Sequence, residues 1–332
     1  MNDWTTFLHS EASKLAYSGD TQLADLMSWG LLIVKGPDTL KFLQGQLSCD
    51  VQALQNNASS LGAHCTHQGR AISCFRAFML GTDVVALSMP SAIMVNASAA
   101  LAKYIVFSKA EIDDTNTSYC GIGLAGANAA TLIETHLESP PSSIDEVSHS
   151  EQGYVIKVAE QRFECWLKPE AAINFWRKAA VQCQQASQND WQLMNIQAGI
   201  PELQAETVDT FIPQMLNLQA LGGVSFHKGC YTGQEVVARM EYRGKLKRPM
   251  YRIGFDLAKE ETLPRPGQAL FVLDKKQSVG NIVIAASAEG NRGEALAVIT
   301  SSSVEAGEVF LNEEKSKKLA ILNLPYAIKN DI

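Results

Sequence analysis

The chain has 332 residues, a formal net charge of −7, 46% apolar residues and 19% charged ones, the composition of a globular protein too long for one ordinary core. No stretch reaches the roughly 18 apolar residues of a transmembrane helix, and Met1-Asn2-Asp3-Trp4 opens with neither a basic region nor an apolar run, so no secretory signal is read there. Seven cysteines, an odd number without a C-x-x-C pair, argue against a disulfide framework and a four-cysteine metal or cluster site, and for a reducing cytoplasm.

In chain order, Leu31-Leu32-Ile33-Val34 reads as a strand. Gly36-Pro37-Asp38 then opens a helix, with Pro37 in the first turn, where its missing N–H costs nothing, and Leu40, Leu43 and Leu47 at helical spacing. A glycine turn at Gln68-Gly69-Arg70 joins two strands, the second over 71–80. A strand over 83–89 precedes an Ala- and Leu-rich helix over 92–104. Gly121-Ile122-Gly123-Leu124-Ala125-Gly126 matches G-x-G-x-x-G, but no acidic residue follows at the distance a dinucleotide fold needs, so it reads as a tight strand-to-helix turn. Segments 154–158 and 162–167 pair as strands, and 169–183 and 191–199 read as helices. This texture predicts an α+β fold built of ferredoxin-like units over 1–245. From 246 to 332 the pattern changes to six short strands near 250–256, 269–273, 280–285, 295–300, 308–311 and 319–324, which predicts a small β-barrel or sandwich without a helix.

Four constellations bear on chemistry. His64-Cys65-Thr66-His67 places three metal-ligand types in four residues, yet no second cluster completes a site, and no metal is predicted. Cys230 lies between glycines Gly229 and Gly233, two residues from Lys228, and a nearby cation favours the reactive thiolate. Seven bases against two acids between Lys228 and Arg252 give a local charge of +5 and leave −12 on the rest, a patch suited to an anionic ligand or partner. Trp29 and Trp191, judged by spacing alone, are core candidates.

The segment from Phe211 to Glu235, and above all Lys228-Gly229-Cys230-Tyr231-Thr232-Gly233-Gln234-Glu235, resembles the signature of the YgfZ family of folate-binding, aminomethyltransferase-like proteins. Phe42-Leu43-Gln44-Gly45-Gln46, Lys103-Tyr104-Ile105-Val106-Phe107-Ser108-Lys109 and Leu324-Pro325-Tyr326 extend the resemblance along the chain. It implies α+β subdomains in a ring around a folate channel, with a C-terminal β-barrel on one side. It also implies that Trp29 and Trp191 contact tetrahydrofolate, that Cys230 is the functional thiol, and that Lys228 and Arg239 tune it or bind an anion. The implied role is support of iron–sulfur enzymes and of the thiolation of certain tRNAs, with folate and those enzymes as partners and tRNA met only indirectly. One position departs: many relatives carry glutamate where this chain has Gln197. A carboxylate accepts two hydrogen bonds from the amino and ring N–H edge of a pterin, whereas an amide offers one acceptor and two donors. A true aminomethyltransferase, or a module that binds tRNA through residues 239–252, remain the alternatives.

Overall fold

The computed structural model describes residues 3–114, 118–258, 261–273 and 275–328. Three sheets and their covering helices account for them.

The chain enters through helix α1 (Asp3–Ser10) and strand β1 (Thr21–Asp25), then passes into the second sheet. That sheet holds β2 (Trp29–Lys35), followed by helix α2 (Thr39–Gln44), and then β3 (Ser59–Cys65), β4 (Ala71–Gly81) and β5 (Val84–Pro90). Helix α3 (Ser91–Ile105) leads to its last strand, β6 (Glu111–Asp113), and the spatial order is β3-β4-β5-β2-β6. The predicted glycine turn is present: Gly69 has φ +75° between β3 and β4, which pair antiparallel. Helix α2 starts later than expected. The Asp38 carboxylate accepts the backbone N–H of Lys109 at 2.8 Å, Asp38 becomes the N-cap, and Pro37 stays outside the helix.

The chain returns to the first sheet with β7 (Cys120–Ala125), helix α4 (Ala129–His136), β8 (Val147–Ser150), β9 (Gly153–Ala159), β10 (Arg162–Leu167), helix α5 (Pro169–Ala180) and β11 (Cys183–Ala186). The order is β11-β1-β7-β10-β9-β8, so β1 is held between strands nearly a hundred residues or more downstream. One face packs under α1, α4 and α5 through Trp4, Phe7, Ile122, Phe163 and Trp176. The other meets the second sheet, where Leu31, Ile33 and Phe78 pack on Val147, Ile156 and Trp166. Helix α6 (Gln188–Gln197) begins with a capping box in which Ser187 and Asp190 satisfy each other's backbone N–H groups.

After helix α7 (Gln234–Arg243) come β12 (Met250–Asp256), β13 (Ala269–Val272), β14 (Lys275–Ala288), β15 (Arg292–Ile299), helix α8 (Ser301–Glu305), β16 (Val309–Phe310) and β17 (Ala320–Leu322). They form one sheet, β16-β13-β14-β15-β12-β17, curled into a half-barrel. The one-turn helix α8 is the element the strand pattern there did not predict. Val283, Ile284, Leu296 and Val298 of this sheet join the same core as Ile196, Leu203 and Leu216, so the half-barrel is docked on the rest by buried apolar surface. No described helix is long and apolar enough to cross a membrane.

Candidate functional site

The signature segment is a loop tied to the strand-entry segment that follows α2. Ser225 N–H donates to Ser48 O at 2.9 Å, and Ser48 Oγ donates to Gly223 O at 2.6 Å. Thr232 N–H donates to Gly45 O at 3.1 Å, and its hydroxyl to Gln46 Oε1 at 3.1 Å. Between these ties Lys228 turns inward. Its Nζ donates to Leu47 O and Cys49 O, each at 2.7 Å, and lies 5.1 Å from the centre of the Tyr231 ring. Burial pulls this ammonium down to about pKa 8. Its hydrogen bonds go to two carbonyls, so Lys228 braces the loop that carries Cys230. Gly233 ends the loop with φ +85°, where a Cβ would stand 2.5 Å from Thr66 O; only glycine fits without displacing the strand turn. Cys230 is the exposed thiol, and the other six cysteines are buried. Arg239 extends into solvent from α7 and pairs with Glu235 at 2.9 Å.

A groove runs between the first two sheets, α6 and the half-barrel. Its inner end is a cavity of about 20 Å³ lined by Trp29, Phe75, Arg76, Glu164, Asn195 and Glu202 among others. Its outer part, about 570 Å³, opens between α6 residues such as Gln188 and Gln192 and half-barrel residues such as Arg265 and Ile284. That volume lies within the range of small-molecule sites. Trp29, Pro90 and Glu202 line both parts and form the throat between them. Trp29 is half-buried there, at the first position of β2.

Trp191 lies behind the groove wall. It is 2% exposed and shares a cluster with Trp29, Leu26 and Met194. The Arg162 guanidinium covers one face at 4.6 Å from the ring centre, a cation–π contact. On another side Gly123 approaches so closely that a Cβ would stand 2.5 Å from Trp191 Cζ3. Gly121 likewise lies against Trp166. The G-x-G run is therefore mostly buried strand, β7, with its glycines fitted to two indoles, and the turn begins only at Gly126, φ +134°. Gln197 does not line the groove; its Nε2 reaches Glu294 Oε1 of the half-barrel at 3.4 Å. His64 lies buried in β3 with neither ring nitrogen hydrogen-bonded, and burial pushes it down to about pKa 4. No group of three His, Cys, Asp or Glu suited to a metal is present among the described residues.

Sequence reasoning missed Glu164, Glu202 and Arg265. Glu202 is 3% exposed, and its Oε1 accepts Asn195 Nδ2 at 2.7 Å. Asn195 Oδ1 in turn accepts from Arg162. Burial pushes Glu202 up to about pKa 7 and also raises Glu164. Glu164 Oε2 makes no well-formed hydrogen bond, although the Trp166 indole N–H is near enough to favour its charged form. Arg76, which bonds Ser59 and Asp145, and Arg162 supply the opposing charge. The available signal was Arg162 and Glu164 alternating inside a strand whose every residue is buried, a pattern that requires internal charge pairing.

Aminomethyltransferase T from Bartonella henselae superposes on 98% of this chain and 90% of its own with a TM-score of 0.70 at 16% identity, so the fold is aminomethyltransferase-like. No family model matches the sequence. The tRNA-modifying protein YgfZ of Photorhabdus laumondii is 33% identical over 314 residues, 93% of each chain. The YgfZ of Photobacterium profundum is 35% identical over 92% of each, and that of Pectobacterium atrosepticum 32% over 96% of each. The chain belongs to the YgfZ family.

Proposed function

We propose that this chain is a folate-binding accessory protein that supports iron–sulfur enzymes and, through them, the thiolation of certain tRNAs. The observation that carries the reading is the throat: an indole, Trp29, beside buried hydrogen-bonding groups, opening into a groove of ligand size. A pterin has a flat ring for Trp29 and a polar edge for the inner end. Arg265, the cation lining the outer groove, suits the anionic glutamate tail better by position than Arg239. In this reading Trp191 and Arg162 stiffen the wall behind Trp29, and tetrahydrofolate would carry one-carbon units. Gln197 would act at the half-barrel contact. Cys230 would be the thiol offered to a partner and Lys228 the strut that fixes it. The relatives' name supplies the link to tRNA modification.

Calorimetric titration with tetrahydrofolate tests the ligand. We expect saturable binding, weakened about tenfold by Trp29→Ala through loss of the stacked ring. Absence of binding at millimolar ligand would overturn the folate reading. The cellular role is tested by restoring tRNA thiolation in a bacterium lacking its own YgfZ, with wild type active and Cys230→Ala impaired. Aminomethyltransferase turnover by the purified protein would favour the enzymatic alternative.

A further inference from the structure

We propose that Glu202, with Glu164 behind it, determines ligand specificity at the throat by accepting the adjacent N–H donors of a 2-amino-4-oxopyrimidine ring edge. The inference rests on the folate reading above and names the residues that would read the pterin.

Four observations carry it. Glu202 borders both the inner cavity and the outer groove, so its carboxylate stands where a ring edge would arrive. One of its oxygens, Oε1, is already held by Asn195, which fixes its orientation and leaves Oε2 for a ligand. The Asn195 amide is fixed in turn by Arg162, which rests on Trp191. Glu164 also lines the cavity, is 5% exposed, and keeps Oε2 without a partner.

Charge points the same way. The carboxylates of Asp145, Glu164 and Glu202 face the guanidiniums of Arg76 and Arg162, with Asp145 already paired to Arg76. Two buried carboxylates are left to share Arg162 and an Arg76 already engaged by Asp145. A buried acceptor without a donor is costly, and a ring that brings an exocyclic amino group beside a ring N–H supplies two donors on one edge. A ring presenting carbonyls there would face the carboxylates with like partial charge. Gln197 is turned toward Glu294 and lies outside the groove. Titration adds a signature: with Glu202 pushed up to about pKa 7 by burial, its acceptor form, and hence pterin affinity, increases as the pH rises through 7.

The experiment compares the full-length wild type, Glu202→Gln and Glu164→Gln, with near-ultraviolet circular dichroism verifying each fold. Tetrahydrofolate, pterin (2-amino-4-oxopteridine) and lumazine (the 2,4-dioxo analogue) are titrated by calorimetry between pH 6 and 8. We expect the wild type to prefer pterin over lumazine at least tenfold. Glu202→Gln is expected to bring that ratio near one and to flatten the pH dependence, and Glu164→Gln to lower it partially. Wild-type binding of tetrahydrofolate, with the preference and pH slope unchanged in Glu202→Gln, would overturn this assignment and leave the folate reading standing. No binding of tetrahydrofolate by the wild type would overturn both. Glu202→Asp, which keeps the charge but withdraws it by one methylene, separates charge from reach: retained pH dependence with weakened pterin binding supports a direct contact, and unchanged binding argues against it.

Discussion

Gly123→Ala is the sharpest test of how the groove wall is built. Gly123 lies in β7 opposite Ala24 on one side and Glu164 on the other. An added Cβ would come within 2.5, 2.7 and 2.8 Å of Trp191 Cζ3, Cε3 and Cη2. These are atoms of a rigid ring in a residue 2% exposed, with Arg162 on its face, so the ring has to move as a unit. Forcing one extra methyl into a packed core costs about 1–3 kcal/mol, and the stiffer unfolded chain returns about 0.4–1 kcal/mol. The net expectation is a loss of about 1–2 kcal/mol, read as a lower urea midpoint with unchanged slope. Gly229→Ala is the control, because a Cβ there meets nothing within 4 Å and its φ is not positive; it is expected to stay within about 0.5 kcal/mol of wild type. The reasoning also fixes a coupling. In a Trp191→Leu background the clash is gone, so Gly123→Ala loses most of its cost, with an interaction energy of about 1 kcal/mol or more. An equal cost in both backgrounds would show that the glycine serves something other than the indole.

Other outcomes follow from burial and titration. His64 holds its ring neutral down to about pKa 4, while the unfolded chain takes up a proton near pH 6.5. The unfolded state therefore binds more protons in between, and stability falls as the pH drops from about 6.5 to 4. His64→Leu is expected to shrink that loss and to be neutral or stabilising at pH 7, since neither ring nitrogen has a partner to lose; acid unfolding curves give the comparison. Glu202 contributes the opposite slope. Its folded-state pKa of about 7 lies above the unfolded value near 4.5, so its contribution is full below 4.5 and is lost as the pH rises through 7, by about 3 kcal/mol at most. Glu202→Gln should remove that decline in urea midpoints taken from pH 5 to 8. An aromatic disulfide reagent should titrate one fast thiol per native chain, abolished by Cys230→Ser, with six more released only on unfolding; two or more fast thiols would contradict the described burial.

Much of the fold was legible because its signals are local. The glycine turn at Gln68–Gly69–Arg70 and the strands joined on either side of residues 160–161 are set by neighbours in sequence. So is α5, with Pro169 at its first turn and basic Arg177 and Lys178 in its last. What the sequence hid depends on partners far away. The G-x-G run reads as a turn until Trp191 and Trp166 are seen filling the space its missing side chains leave. Pro37 reads as a helix opener until Lys109 takes the Asp38 carboxylate. Whether residue 197 or residue 202 faces the groove depends on where α6 stops and how Gly199, at φ +68°, redirects the chain, and periodicity carries no record of that. The basic run after Lys228 is conspicuous by its density, yet the arginine that lines the outer groove is Arg265, far along the chain from it.

The position of β1 constrains how this molecule is made. It is a central strand, yet its two neighbours, β7 and β11, begin at residues 120 and 183. At synthesis rates of about 5–20 residues per second, β1 waits several seconds or more beyond the ribosome before either edge can be closed. During that interval Leu23 and Ala24, fully buried in the finished sheet, are open to any passing strand. The nascent chain therefore spends its most exposed moments before half of it exists, and a mutation that slows or weakens β7 would be felt first as lost yield during translation, well before any ligand is bound.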